Sequence, residues 1–278
     1  MLLRRPGGRS WRGAPPTYDP LAEIERRVRG RLGVAVLDIA SNRRLEHRAD
    51  ERFPMCSTFK LLLASCILAR VDAGRERLAR EVRYVEADLL EYAPVTRAHV
   101  GEGQMSVGAL CAAAIQYSDN TAANLLLGTI GGPGALTTYV RTLGDEVTRL
   151  DRTEPALNES TPGDPRDTTM PSVMVADMRR VLLGDALSST SREQLIHWLV
   201  ENRTGGARLR AGLPATWRAG DKTGTGEHGS TNDVAIVWPE RRAPILVAVY
   251  LTECAAAASE RNAALADVAR VAASLAIS

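Results

Sequence analysis

The chain has 278 residues, 45% of them hydrophobic and 24% charged, with a net charge of +2. That balance fits a soluble globular protein of one large domain or two lobes sharing a core. It excludes a dedicated nucleic-acid surface, because the arginines of the first thirty residues are scattered and aromatics make up only 4%.

In chain order, residues 1–17 are rich in Arg, Gly and Pro and are expected to form a disordered extension. Asp19-Pro20 marks a helix start, with Leu21, Ile24 and Val28 on one stripe. Gly33 to Ile39 reads as a strand, and Arg44–Arg48 as its hairpin partner. From Ser57 to about residue 200 the signals are nearly all helical. Phe59–Leu68 is apolar on every side, so it is expected to be buried. Ser106 is placed to cap a helix through Val107, Leu110 and Ala114, and Thr121–Ile130 is stopped by Gly131-Gly132-Pro133-Gly134. Leu136, Tyr139, Val140 and Leu143 mark the next helix, Pro171 starts another, and Ser191 opens a third. Strand character returns at Trp217–Thr223, Asp233–Trp238 and Ile245–Leu251, before a final helix with Leu265, Val268, Ala272 and Leu275 on one side.

Strands at both ends around a helical middle predict an antiparallel sheet flanked by helices and built from both termini, with an inserted helical domain. The expected division is a discontinuous α/β domain (18–50 and 203–278) and a helical domain (51–202) carrying a loop at 152–167. No apolar run reaches the roughly 20 residues of a membrane span. Arg4-Arg5 has no apolar stretch behind it, so no complete signal peptide is visible. Cysteines 56, 66, 111 and 254 and histidines 47, 99, 197 and 228 lack metal-ligand spacing, so no metal is expected. The four cysteines could form two disulfides or serve as small core residues.

Ser57-Thr58-Phe59-Lys60 opens the buried helix. Residues three apart share a helix face, which puts Lys60 beside the Ser57 hydroxyl. One reading is a snorkelling lysine next to a helix-start serine. The other is a nucleophile, since a buried lysine loses its proton more readily and can activate a serine. Ser118-Asp119-Asn120 falls in a turn between helices, where all three residues also suit capping. Lys222-Thr223-Gly224 follows a strand and equally suits an exposed strand end. Each motif is weak alone.

Together, S-x-x-K, S-D-N and K-T-G in this order resemble the class A serine β-lactamases and penicillin-binding proteins. Glu154-Pro155-Ala156-Leu157-Asn158 is similar to the E-x-x-L-N segment that penicillin-binding proteins lack. The chain is therefore identified as resembling a class A serine β-lactamase from about residue 20 onward. The resemblance implies a Ser57 nucleophile and Lys60 or Glu154 as acylation base. It implies Ser118 and Lys222 in proton relay, and backbone N–H groups of Ser57 and Thr225 as the oxyanion hole. Glu154 and Asn158 would hold the deacylating water, and Arg152 and Asp167 would pin the ends of their loop. Tyr92 would border the cleft, and Asn120, Thr223, Gly224 and Thr225 would contact substrate. Many relatives carry a carboxylate-binding arginine on the strand that here reads Gly229-Ser230-Thr231-Asn232. Others supply it from the segment upstream, where Arg208 stands. A cysteine bridge known from some carbapenem-hydrolysing relatives would need Cys56 and position 226, which is glycine, so carbapenemase activity is less supported.

The resemblance further implies a monomer, periplasmic or secreted, acting on a small-molecule β-lactam. It calls for no cofactor, nucleic acid or stable membrane association. Two other functions share the first three motifs. A cell-wall D,D-peptidase would not need Glu154 and Asn158, and a penicillin-sensing domain would acylate without turnover.

Overall fold

The structure, a computed structural model, describes residues 19–277. The extension expected over residues 1–17 lies outside them. Helix α1 (Pro20–Val28) is capped by Asp19, whose carboxylate accepts from the Leu21 N–H at 2.9 Å, and it buries Leu21, Ile24 and Val28. β1 (Arg31–Asp38) and β2 (Arg44–His47) form the hairpin. After β3 (Phe53–Pro54) comes α2 (Phe59–Asp72), whose first ten residues are all buried. Then follow β4 (Glu81–Arg83), α3 (Pro94–Ala98), β5 (Gln104–Ser106), α4 (Val107–Gln116), α5 (Asn120–Ile130) and α6 (Pro133–Thr142). Beyond the 152–167 loop lie β6 (Thr168–Thr169), α7 (Pro171–Leu182), α8 (Ser189–Val200), α9 (Leu209–Gly212), β7 (Arg218–Thr225), β8 (Thr231–Trp238), β9 (Ile245–Thr252) and α10 (Ala258–Ile277).

The main sheet runs β2-β1-β9-β8-β7, with every neighbour antiparallel. Its central strands alternate faces, so two cores form. Ala35, Leu37, Val234, Ile236, Leu246, Ala248 and Tyr250 face the helical lobe around α2. Leu32, Val34, Val36, Ala235, Val247, Val249 and Leu251 face α1 and α10, meeting Leu265, Val268 and Ala272. β7 is an edge strand, bonded only to β8, which leaves its other side toward the helical lobe.

Two details differ from the sequence reading. α8 begins at Ser189 rather than Ser191, because Ser188 supplies the cap by accepting from the Ser191 N–H at 3.2 Å. The helical middle also holds the short pairs β3–β6 and β4–β5. Segments of two or three residues are too short to show the alternation that identifies a strand.

Gly33 lies where β1 passes under Phe53. A Cβ there would stand 2.4 Å from the nearest ring carbon of a fully buried phenylalanine. Gly33→Ala is expected to destabilise the protein by about 1–3 kcal/mol through overpacking. A lower urea midpoint would show this; an unchanged midpoint would mean that the ring has room to move.

Candidate active site

Cys56–Thr58 forms a tight turn that runs into α2, with Cys56 held at a φ of 45°. A β-carbon-bearing residue pays for that left-handed geometry with strain. The turn sets the Ser57 hydroxyl at the head of α2, one turn before Lys60. Lys60 is fully buried, and its Nζ donates to Ser57 Oγ at 2.9 Å. The same Nζ donates to the Ser118 carbonyl at 2.8 Å and to Asn120 Oδ1 at 2.7 Å, and lies 2.9 Å from Glu154 Oε1. Burial lowers the affinity of Lys60 for its proton, while the Glu154 carboxylate opposes that effect; burial prevails. The Ser57 hydroxyl in turn donates to Glu154 Oε1 at 3.2 Å.

Ser118 and Asn120 come from the turn between α4 and α5. Asp119 caps α5, accepting from Ala122 N–H at 2.9 Å, and also holds the backbone of Val95 and Thr96 at the start of α3. The capping reading of this tripeptide is therefore correct for its middle residue, while its neighbours face Lys60. Ser118 sits at a φ of 58°, another left-handed residue at the site. Lys222, also fully buried, donates to Ser118 Oγ at 3.0 Å and to the Thr223 carbonyl at 2.8 Å. Its pKa is driven well below the ordinary value, first by burial and then by the Lys60 charge.

Glu154 is carried in by the loop at 152–167. Arg152 Nε meets Asp167 Oδ2 at 2.6 Å, and Asp167 Oδ1 accepts from the Asp151 and Arg152 N–H groups. Asn124 holds the Glu154 backbone at both ends, donating to its carbonyl at 2.8 Å and accepting from its N–H at 2.9 Å. Asn158 donates to the second Glu154 oxygen. Two more ties join the loop to the sheet side: Cys56 Sγ lies 3.5 Å from Ser160 Oγ, and the Glu227 N–H donates to the Asn158 carbonyl at 2.9 Å. Gly226 fits there because a Cβ would come within 2.7 Å of Cys56 Sγ, Ser160 Oγ and the Asn158 carbonyl. All four cysteines are free and buried.

A cavity of about 380 Å³ opens onto this cluster, lined by Ser57, Tyr92, Ser118, Asn120, Asn158, Thr204, Arg208, Thr223, Gly224 and Thr225. Lys60, Glu154 and Lys222 stand behind its wall. The backbone of β7 approaches the nucleophile turn closely at Gly224, where a Cβ would lie 2.8 Å from the Met55 carbonyl. Arg208 donates to the Gly224 and Asn232 carbonyls at 2.7 and 2.8 Å and to Thr225 Oγ1 at 2.7 Å, which fixes its guanidinium at the rim. Tyr92, at the edge of the cavity, is 52% exposed. Chemically, the arrangement offers a hydroxyl between an amine and a carboxylate, with cationic and hydroxyl groups opposite for an anionic substrate group.

Sequence reasoning missed two contributors. Asn124 lies one helical turn after Asn120, so the shared face was a usable signal. Thr204, whose hydroxyl lies 2.5 Å from that of Thr223, had no local signal; only the packing of α8 against β7 brings it in.

Comparison with known proteins agrees with this arrangement. The family model described as "Beta-lactamase enzyme family" matches residues 16–275. The chain is 47% identical over 266 residues to β-lactamase CTX-M-8 of Citrobacter amalonaticus, covering 93% of this chain and 91% of that one. It is 44% identical over 264 residues to β-lactamase OXY-2 of Klebsiella oxytoca, covering 95% and 91%. Among solved structures, an ancestral class A β-lactamase superposes with a TM-score of 0.90 at 63% identity, covering 92% of this chain and 98% of that one. The chain belongs to the β-lactamase enzyme family, as a class A member. It is a hydrolase of the β-lactam ring.

Asp167 is buried and carries three of the bonds that close the loop. Asp167→Ala is expected to cost about 3 kcal/mol, the scale for breaking a largely buried charge pair. Thermal unfolding, together with faster proteolysis within 152–167, would register the loss; an unshifted melting temperature would make the Asn124 and Ser160 ties sufficient by themselves.

Proposed function

We propose that the protein hydrolyses penicillins, and some cephalosporins, through an acyl-enzyme on Ser57, and so confers antibiotic resistance. The observation that carries this reading is the Ser57 hydroxyl held 2.9 Å from the Lys60 amine and 3.2 Å from the Glu154 carboxylate. Ser57 Oγ attacks the lactam carbonyl while its proton passes to Lys60, or to Glu154 through a water. The lowered pKa of Lys60 supports the first route, while Glu154 Oε1, 3.2 Å from the hydroxyl, is also placed to take the proton directly. Negative charge on the carbonyl oxygen is met by the N–H groups of Ser57 and Thr225, each such donor being worth about 2.7–4 kcal/mol. The lactam C–N bond then breaks and the ring nitrogen takes a proton from Ser118, whose hydroxyl Lys222 holds.

In the second half, Glu154 takes a proton from a water that attacks the ester, and Asn158 orients both. Asn120 and the edge of β7 at Thr223, Gly224 and Thr225 align the substrate amide. Arg208 and the two threonine hydroxyls bind its carboxylate, and Tyr92 walls the entrance. Of the described residues, we assign 19–50 and 203–277 to the α/β domain and 51–202 to the helical domain, so that the reaction takes place where the two meet. We infer a monomer acting in the periplasm or outside the cell. Among the described residues no helix is long and apolar enough to cross a membrane.

Glu154→Ala is expected to slow deacylation by about 10²–10⁴-fold, the usual worth of a general base. Mass spectrometry after mixing with a penicillin should then show the protein heavier by one substrate; rapid turnover without that species would sink the assigned role. Arg208→Ala is expected to raise KM for penicillins several-fold with a smaller change in kcat, because a carboxylate contact is made in both ground and transition states. Steady-state kinetics with an unchanged KM would remove Arg208 from substrate binding.

A further inference from the structure

A second cavity, of about 480 Å³, lies between the C-terminal half of α2 and α6, well away from Ser57. Cys66 on its wall is nine residues further along the helix than Ser57, or about 13 Å at about 1.5 Å per residue. Its size is in the range of small-molecule sites, roughly 300–1,000 Å³. Much of the lining is apolar, including Ile130, Ala135 and Leu143. Two guanidinium groups, Arg70 and Arg75, stand at the same wall, both close enough to act on the Cys66 thiol.

Arg70 is half-buried and Arg75 exposed. Among the described residues, neither guanidinium makes a hydrogen bond or an ion pair, and the buried Nε of Arg70 is unsatisfied. A buried donor left unmade costs about 1–3 kcal/mol. The nearby carboxylates do not fill the gap. Glu76 feels the Arg70 charge but gives both oxygens to Arg80, and Asp72 accepts from Ser188 and Ser191. An apolar cavity with unpaired guanidinium donors at its wall is complementary to a compact apolar body carrying one anionic group.

We propose that this cavity is a second binding site, separate from the catalytic one, for a small amphipathic anion: an apolar ring system or short chain bearing one carboxylate or sulfonate, held by Arg70 and Arg75. The nearest polar neighbours leave space for such a head group. Among the described residues, Tyr139 on α6 keeps a buried hydroxyl without a partner, while Thr138 and Thr142 give theirs to the Gly134 and Tyr139 carbonyls.

The test uses the full chain and anilinonaphthalene sulfonate as the probe, followed by fluorescence. One saturable site is expected. The Arg70→Gln/Arg75→Gln double variant should weaken it about tenfold, the worth of one charge-assisted contact. Ala135→Trp, which fills the cavity, should abolish it. The neutral analogue phenylnaphthylamine should bind the parent protein no better than it binds the double variant. An absence of saturable binding, or binding unchanged in the Ala135→Trp variant, would overturn the site. Binding lost in that variant but indifferent to both arginines would overturn its anion preference. Because neither variant touches the cavity at Ser57, failure here leaves the hydrolase reading standing.

Discussion

The ammonium group of Lys60 is the constraint around which the site is built. Taken fully out of water at the head of an apolar helix, it has a large desolvation cost unless oxygens surround it. Five do so: the hydroxyl and carbonyl of Ser118, the hydroxyl of Ser57, and the side chains of Asn120 and Glu154. They come from three separate stretches of chain. A single buried charge thus requires the head of α2, the turn before α5 and the 152–167 loop to converge, and their convergence assembles the nucleophile beside an amine and a carboxylate.

Convergence is achieved at a local cost. Cys56, Ser118 and Asp167 all adopt left-handed backbone conformations without being glycine, at roughly 1–3 kcal/mol each. The surroundings hold them there. Asp119 ties the turn of Ser118 to α3, Asp167 closes its own loop on Arg152, and Cys56 lies between Ser160 and a glycine that leaves it space. Strain of this kind is stored where rigid geometry serves chemistry, and here it sits next to Ser57, at Ser118 and at the closure of the 152–167 loop.

Much of this was legible from the chain. The burial of α2 followed from its uninterrupted apolar run, α1 from Asp19-Pro20 and its stripe, and the sheet from strands at both ends. Ser57, Lys60, Ser118, Glu154 and Lys222 stood out because their motifs occur in one order with one set of neighbours. Thr204 was invisible, since nothing near it in sequence points to Thr223. The start of α8 was misplaced because Ser188 and Ser191, three positions apart, offer similar helix starts and only packing decides between them. The paired β3–β6 and β4–β5 segments carry no period to detect.

The amino-acid sequence by itself determined the element types, the faces they bury and the identity of the reactive groups, because periodicity, capping and motif spacing are properties of neighbours along the chain. Only the tertiary structure decided which lysine nitrogen meets which oxygen, that Arg208 is fixed at the rim by the Gly224 and Asn232 carbonyls, and that Lys222 reaches Ser118. The Lys222–Ser118 contact spans 104 positions and those of Arg208 span 16 and 24, and their distances depend on how two cores pack against opposite faces of one sheet, which no local pattern encodes.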